Sequence, residues 1–197
     1  MENKLRNWFF LLGVFFLLVA VGLLGYREWK AMEAGTLCTR LAADYQKLFS
    51  DTVYAEEAGQ PDARQDGNIR TVLEVDGVDL VGVLQFPDRE VTLPVAGEYN
   101  EDLRVPTLVS GEHEGSKLWI KGMDYAGQFG ILEKVVPGEE IYFEDLWGVL
   151  YAYTVTSKNI TSLEKIDTDA DMVLFFRRSI TTIYQVSLER TTPKTID

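Results

Sequence analysis

Cysteine and histidine are nearly missing from this chain: among 197 residues there is one of each, Cys38 and His113. A single cysteine excludes an intramolecular disulfide, so an exported domain of this protein has to be held by its core alone. The same count excludes a zinc site of the Cys/His type, and nothing in the sequence calls for another metal or a cofactor. Positive charge is also scarce, with 19 Lys and Arg against 31 Asp and Glu and a formal net charge of −12. Nucleic acid and bare anionic lipid are repelled by such a balance rather than gathered. His113, in the polar stretch SGEHEGS, reads as a solvated loop residue, and Cys38 as a packing residue on a helix.

Charge disappears altogether from residue 8 to residue 26, WFFLLGVFFLLVAVGLLGY. Nineteen such residues at helical rise are enough to cross the hydrocarbon layer of a bilayer. A cleaved leader is the competing reading. The run is longer than a leader's apolar core, however, and Arg27, Glu28, Trp29 and Lys30 after it offer no pair of small residues for a peptidase. A retained single-pass anchor is therefore expected. Lys4 and Arg6 precede the run, which places the short amino end in the cytoplasm and the body outside the plasma membrane. Trp8, Tyr26 and Trp29 then sit at the two interfaces.

Residues 27–55 read as a membrane-proximal helix, because Leu37, Leu41, Tyr45, Leu48 and Phe49 recur at spacings of three and four. The run is too short for sustained heptads, so packing against the chain's own domain is expected over a coiled coil. Residues 56–68, EEAGQPDARQDGN, read as an acidic linker. Beyond them the texture is β-rich, with strands expected at 78–86, 90–95, 117–121, 140–143, 149–155, 172–176 and 181–188. A short helix is expected at 126–134, where Phe129, Ile131 and Leu132 plug one end and Pro137-Gly138 stops it. The expected fold class is mainly β, a closed barrel preceded by two helical segments. The organisation is 1–26 stub and anchor, 27–67 helix and linker, and 68–197 barrel.

The order of these pieces resembles the sortases, the membrane-anchored cysteine transpeptidases of Gram-positive bacteria, and most of all the class B-like forms. The stretch VDLVGVLQFPDREVTLPV, with Gly82, Pro87 and Pro94, is similar to the family's opening strands. LWIKGMDYAGQFGILEKVVPGEEIYFEDLWGVLYAYTV is similar to its histidine corner, short helix and aromatic strand. DMVLFFRRSITTIYQVSLER is similar to the strand with the nucleophile and the strand with the arginine. The faint likeness of Leu93-Pro94-Val95-Ala96-Gly97 to a sorting signal is read instead as a strand.

The resemblance implies acyl transfer by a thiolate, a protonated imidazole and a guanidinium that holds the oxyanion. Laid over this chain, the family's His falls on Met123, its Cys on Arg177 and its Arg on Ile183, with Tyr184 possible if the loop is gapped differently. Methionine has no titrating proton, arginine is no nucleophile near neutral pH, and isoleucine has no donor. Strand alternation sets Ile183, Gln185 and Ser187 on one face, and Val173, Phe175 and Arg177 on one face of the strand before. With the barrel built as in the family, the resemblance implies that Met123, Arg177 and Ile183 meet at the floor of its cleft. Asp124 is expected to be the counter-ion of Arg177 or Arg178, either sealing the cleft or leaving Arg178 to hold a carboxylate.

The function expected from the resemblance is a non-catalytic, peptide- or protein-binding or assembly module on the cell surface. Its partners are the membrane and a surface-protein or pilin segment or another membrane protein. The alternatives are an active sortase-type transpeptidase whose groups lie elsewhere, and a purely structural anchor.

Overall fold

The computed structural model describes residues 2–56, 73–98, 105–111, 117–167 and 169–191, and side chains within the first helix from 10 to 47 together with Trp8. His113, the expected linker beyond residue 56 and the side chains of Leu48 and Phe49 lie outside the described residues.

The two helical segments form one uninterrupted helix, α1 (Glu2–Glu56). It is the one helix among the described residues that is long and apolar enough to cross a membrane. From Phe10 it carries a window of mean hydropathy 2.1, none of it buried by the rest of the chain. Further along, Ala34, Cys38, Leu41, Ala42 and Tyr45 are buried. Their spacing of three and four gives the helix one apolar stripe, and that stripe joins the barrel core with Leu37 at its margin. At Tyr45 the hydroxyl donates to the Asp145 carbonyl oxygen at 2.9 Å, fastening the helix.

Nine strands follow among the described residues: β1 (Leu73–Val75), β2 (Val78–Phe86), β3 (Val91–Ala96), β4 (Thr107–Ser110), β5 (Leu118–Gly122), β6 (Glu140–Asp145), β7 (Leu150–Ser162), β8 (Met172–Arg177) and β9 (Thr182–Thr191). Their order in the sheet is β1-β2-β3-β4-β5-β8-β9-β7-β6, and β2 also pairs with β6, so the eight strands from β2 to β9 close on themselves. Closure leaves β1 as a hairpin arm. Asp76 and Gly77 both have positive φ, 51° and 76°, in its two-residue turn, as a type I′ turn requires. Gly82 sits at the closure, opposite Val95 on one side and Asp145 on the other. A Cβ there would overlap the Glu144 carbonyl, and its φ of 156° also favours glycine.

Inside the barrel, Leu80, Leu84, Phe86, Ile120, Phe129, Phe143, Met172, Leu174, Phe176, Val186 and Leu188 form one core. The LPVA segment is in β3, with Leu93, Val95 and Ala96 buried, as expected of a strand. The helix expected at 126–134 is shorter and tighter, a 3-10 helix Phe129–Glu133. Two glycines within four residues weaken an α-helix. Moreover, Gly130 packs on the Tyr125 carbonyl, which accepts from the Gln128 and Gly130 amides at 2.9 and 3.0 Å. Phe129, Ile131 and Leu132 are buried there, as the sequence led one to expect.

Candidate functional site

β5 and β8 run parallel, with Gly122 opposite Phe176. Met123 follows Gly122 directly, and Arg177 follows Phe176 directly. On the other side of β8, Arg177 is paired with Ile183 of β9. The three positions singled out from the sequence therefore come together at the ends of three neighbouring strands, although they lie 54 and 6 residues apart in the chain.

Strand alternation makes this an outward-facing site. Leu118 and Ile120 of β5, Leu174 and Phe176 of β8, and Tyr184 and Val186 of β9 face the core. Their neighbours Trp119, Val173, Phe175 and Ile183 form a second apolar cluster on the other side of the sheet, together with Ile166 and Ala170 from the chain between β7 and β8. Val173, Phe175 and Ile183 are only 0%, 4% and 3% exposed although they lie outside the barrel. Gln185 and Ser187, on the same face of β9, are buried as well.

Polar ties hold that covering segment. The Asp167 amide donates to Gln185 Oε1 at 3.4 Å, and Lys117 Nζ donates to the Asp169 carbonyl at 3.1 Å. Asp167 Oδ1 accepts from the Asp169 and Ala170 amides at 3.0 and 3.3 Å. The nearby Ser187 hydroxyl, which makes no hydrogen bond of ordinary geometry among the described residues, and these two amides, with Lys117 nearby, hold the Asp167 carboxyl below its ordinary value against the opposing effect of burial. The indole N–H of Trp119 is buried with no hydrogen-bond partner among the described residues.

The charged residues are arranged otherwise than the sequence suggested. Asp124 makes no ion pair with either arginine among the described residues; it is exposed and lines a separate cavity of about 530 Å³ with Asp88, Arg89 and Lys134. Arg178 is instead tied to Glu133, Nη1 to Oε1 at 2.6 Å, at the end of the 3-10 helix. The physical reason is the turn after Met123, which carries Asp124 away to the side of Arg89 and brings Glu133 back toward the end of β8. Burial raises the Tyr184 phenol beside this pair, Glu133 adds to the shift, and Arg178 opposes it. Arg177 is exposed and has no ion pair among the described residues. The expected seal between Asp124 and Arg177 is absent.

The corner at Met123 is held from behind. Gln128, fully buried, accepts from the Met123 amide through Oε1, and the Cys38 thiol of α1 hydrogen-bonds to Gln128. Cys38 is 1% exposed, which agrees with its reading as a packing residue. The sequence offered no signal for Gln128, Trp119, Ile166 or Asp167. Only the polar face of β9, with Gln185 and Ser187, was visible in the alternation. Among the described residues no group of three or more His, Cys, Asp or Glu side chains is placed to hold a metal ion.

No protein-family model matches this sequence, and no curated protein matches it. Solved structures do. Sortase C1 from Streptococcus agalactiae is similar with a TM-score of 0.53 and 15% identity, over 64% of this chain and 75% of that one. Sortase A from Corynebacterium diphtheriae, as a lid mutant, is similar at 0.51 and 16%, over 72% and 81%. Sortase C from Clostridium perfringens, solved with the C-terminal cell wall sorting motif, is similar at 0.51 and 18%, over 78% and 91%. At such identities the likeness is one of fold, and the fold is sortase-like: a closed eight-stranded barrel preceded by a long apolar helix. The structures named here are of sortases A and C, whereas the sequence motifs resemble class B-like forms most.

Proposed function

We propose that this protein is a membrane-anchored, non-catalytic member of the sortase-like proteins, which binds an extended peptide on the outer face of its barrel and serves surface-protein or pilus assembly as an accessory. In this reading α1 spans the plasma membrane once with its amino end in the cytoplasm, residues 27–67 connect it, and 68–197 is the extracellular binding domain. The observation that carries it is the meeting of Met123, Arg177 and Ile183 on adjacent strand ends. A sortase reaction needs a thiolate, a proton donor and an oxyanion donor at one place, and these three side chains supply a thioether, a fixed cation and an alkyl group. Ile183 is moreover packed into the outer apolar cluster, which leaves no open position for a substrate carbonyl there. Support for an extended ligand comes from the Clostridium perfringens sortase C structure, in which the same fold was solved with a sorting motif.

The test uses the full chain in detergent or nanodiscs, with LPxTG-like and NPxTN-like peptides and an amine acceptor. The expected result is binding without turnover. Turnover that is lost on Cys38→Ala establishes the opposite reading, an active cysteine transpeptidase. Neither binding nor turnover with any surface-protein segment leaves a structural anchor as the function.

A further inference from the structure

We propose that the end of the barrel carrying Met123 and Arg177 rests on the bilayer that α1 crosses, with Ile180 and Leu163 in the boundary between lipid headgroups and acyl chains and with Lys165 and Arg177 at the level of the phosphates. This rests on the reading of α1 as a membrane span and adds where the domain stands on that membrane.

The position follows from where α1 touches the barrel. The helix is uninterrupted, so its rise measures height above the end of the apolar run at Tyr26. Gly35, which meets Gly127 of the turn after β5, lies about 14 Å above Tyr26 on that scale. Tyr45, which bonds to the Asp145 carbonyl, lies about 28 Å above it. The strand ends at Gly122 and Arg177 are therefore directed toward the bilayer, and the turn between β6 and β7 away from it.

One part of the barrel reaches further down than the rest. Glu140, at the start of β6, pairs with Thr154. Beyond that pair β7 continues to Ser162, held there by β9. This overhang spans about 26 Å along the strand, or about 20 Å along the barrel axis at a strand tilt of about 40°. The ribbon of β7 and β9 thus covers a distance comparable with the rise of α1 from Tyr26 to Gly35.

The tip of the ribbon is apolar and exposed. Ile180, in the turn between β8 and β9, is 90% exposed. Ser179 Oγ fixes that turn by accepting from the Thr181 and Thr182 amides at 3.3 and 3.1 Å. Leu163 follows Ser162, the ladder partner of Thr182, and is more than half exposed, as is Ile160. Single apolar side chains on a surface are ordinary, but three on one fixed tip directed at a membrane make an interfacial contact.

Charge points to the same occupant. The chain as a whole carries −12, yet residues 156–165 and 177–183 hold Lys158, Lys165, Arg177 and Arg178 against Glu164 alone. Glu133 takes Arg178, and Lys158 donates to the carbonyls of Glu133 and Val135. Lys165 and Arg177 remain for lipid phosphates, which a guanidinium holds in a bidentate fork. Trp147 and Val149, exposed at the opposite end beside Asp145, stand too high to share the contact.

The experiment uses the full chain with one added cysteine, Ile180→Cys, Leu163→Cys, Val149→Cys or Val14→Cys, labelled in detergent with a maleimide of the fluorophore NBD; the parent, whose Cys38 is buried, is the blank. Each protein is placed in nanodiscs of phosphatidylcholine and phosphatidylglycerol, with and without bromine near the top of the acyl chains. Bromine is expected to quench the label at Val14 most, those at Ile180 and Leu163 to an intermediate degree, and that at Val149 not at all. Ile180→Ser is expected to lower quenching at Leu163, and Arg177→Gln with Lys165→Gln to lower it at Ile180. Quenching at Val14 with none at Ile180 and Leu163 overturns the resting position and leaves the span standing. Absence of quenching at Val14 overturns the span itself. Unchanged quenching in the Arg177 and Lys165 double variant overturns the role of the two cations, and unchanged quenching at Leu163 in Ile180→Ser overturns that of Ile180.

Discussion

Gly35 of α1 and Gly127 of the turn after β5 meet backbone to backbone. A Cβ built on Gly127 overlaps the Gly35 Cα, whereas one built on Gly35 comes to 3.4 Å from the Gly127 Cα. This is the point at which the long helix touches the corner that carries Met123. Backbone on both sides cannot rotate out of the way as a side chain can, so Gly127→Val is expected to lower stability by about 1–3 kcal/mol through overpacking. Gly35→Ala is expected to change it far less, since the contact there is tight but tolerable and alanine favours the helix. Thermal unfolding of the two variants in the same detergent checks the asymmetry; equal effects refute the contact.

Arg89 and Glu139 form a fork-to-carboxylate pair, Nε to Oε1 at 3.0 Å and Nη2 to Oε2 at 2.9 Å. Glu139 also accepts from the Val136 amide at 3.0 Å. The carboxylate side chain is 3% exposed and the arginine 25%. Arg89→Met strands a buried charge and is expected to cost about 3–5 kcal/mol. The double change Arg89→Met with Glu139→Met is expected to cost less than the sum of the single ones, because it removes the stranded charge as well. Denaturant unfolding of the four proteins in the cycle measures the coupling, and strict additivity sinks the claim.

The segment between β7 and β8 is expected to loosen at low pH. Asp167 is held below the ordinary carboxylate value chiefly by the Ser187 hydroxyl, so its contribution is present above the unfolded value near about 3.9 and is lost as pH falls through the lower folded value. Amide hydrogen exchange of residues 163–171, corrected for the intrinsic rate, is expected to accelerate from pH 5 to pH 3. In Asp167→Asn that acceleration is expected to shrink, and an unchanged profile in this variant counts against the assignment. Glu144 acts in the opposite direction, since burial and Asp145 raise its carboxyl while Gln85 partly compensates; the local readout at residues 163–171 is therefore preferable to global stability.

Cys38 is buried against the barrel at 1% exposure, and a thiol in such a place is inert. Under native conditions a maleimide is expected to leave it unmodified and to label it on unfolding. Rapid native labelling, followed by mass spectrometry, contradicts the docked position of α1.

Much of the barrel was legible because its strands alternate: the β2, β3, β5, β8 and β9 bounds fall within a few residues of those read from the sequence. What escaped has physical reasons. β1 has three residues and β4 four, too few to show a period. β7 runs on to Ser162 because β9 continues to pair with it through Thr182, a long-range ladder that Ser157, Lys158 and Asn159 do not advertise in their own side chains. The junction of the apolar run with the next helical stretch left no mark either, because Arg27, Glu28, Trp29 and Lys30 end the apolar run without breaking the helix.

By itself the sequence determined the apolar span and the alternation that sorts each strand into an inner and an outer face, and through its likeness to the sortases it singled out Met123, Arg177 and Ile183. The first two are local properties, carried by composition and period. Only the tertiary structure decided that Glu133 rather than Asp124 takes Arg178, and that Ile166 packs on the outer face of β8. Each of these joins residues distant in the chain or set by the path of a loop, and it is strand register and loop direction, neither of them periodic, that bring their side chains together.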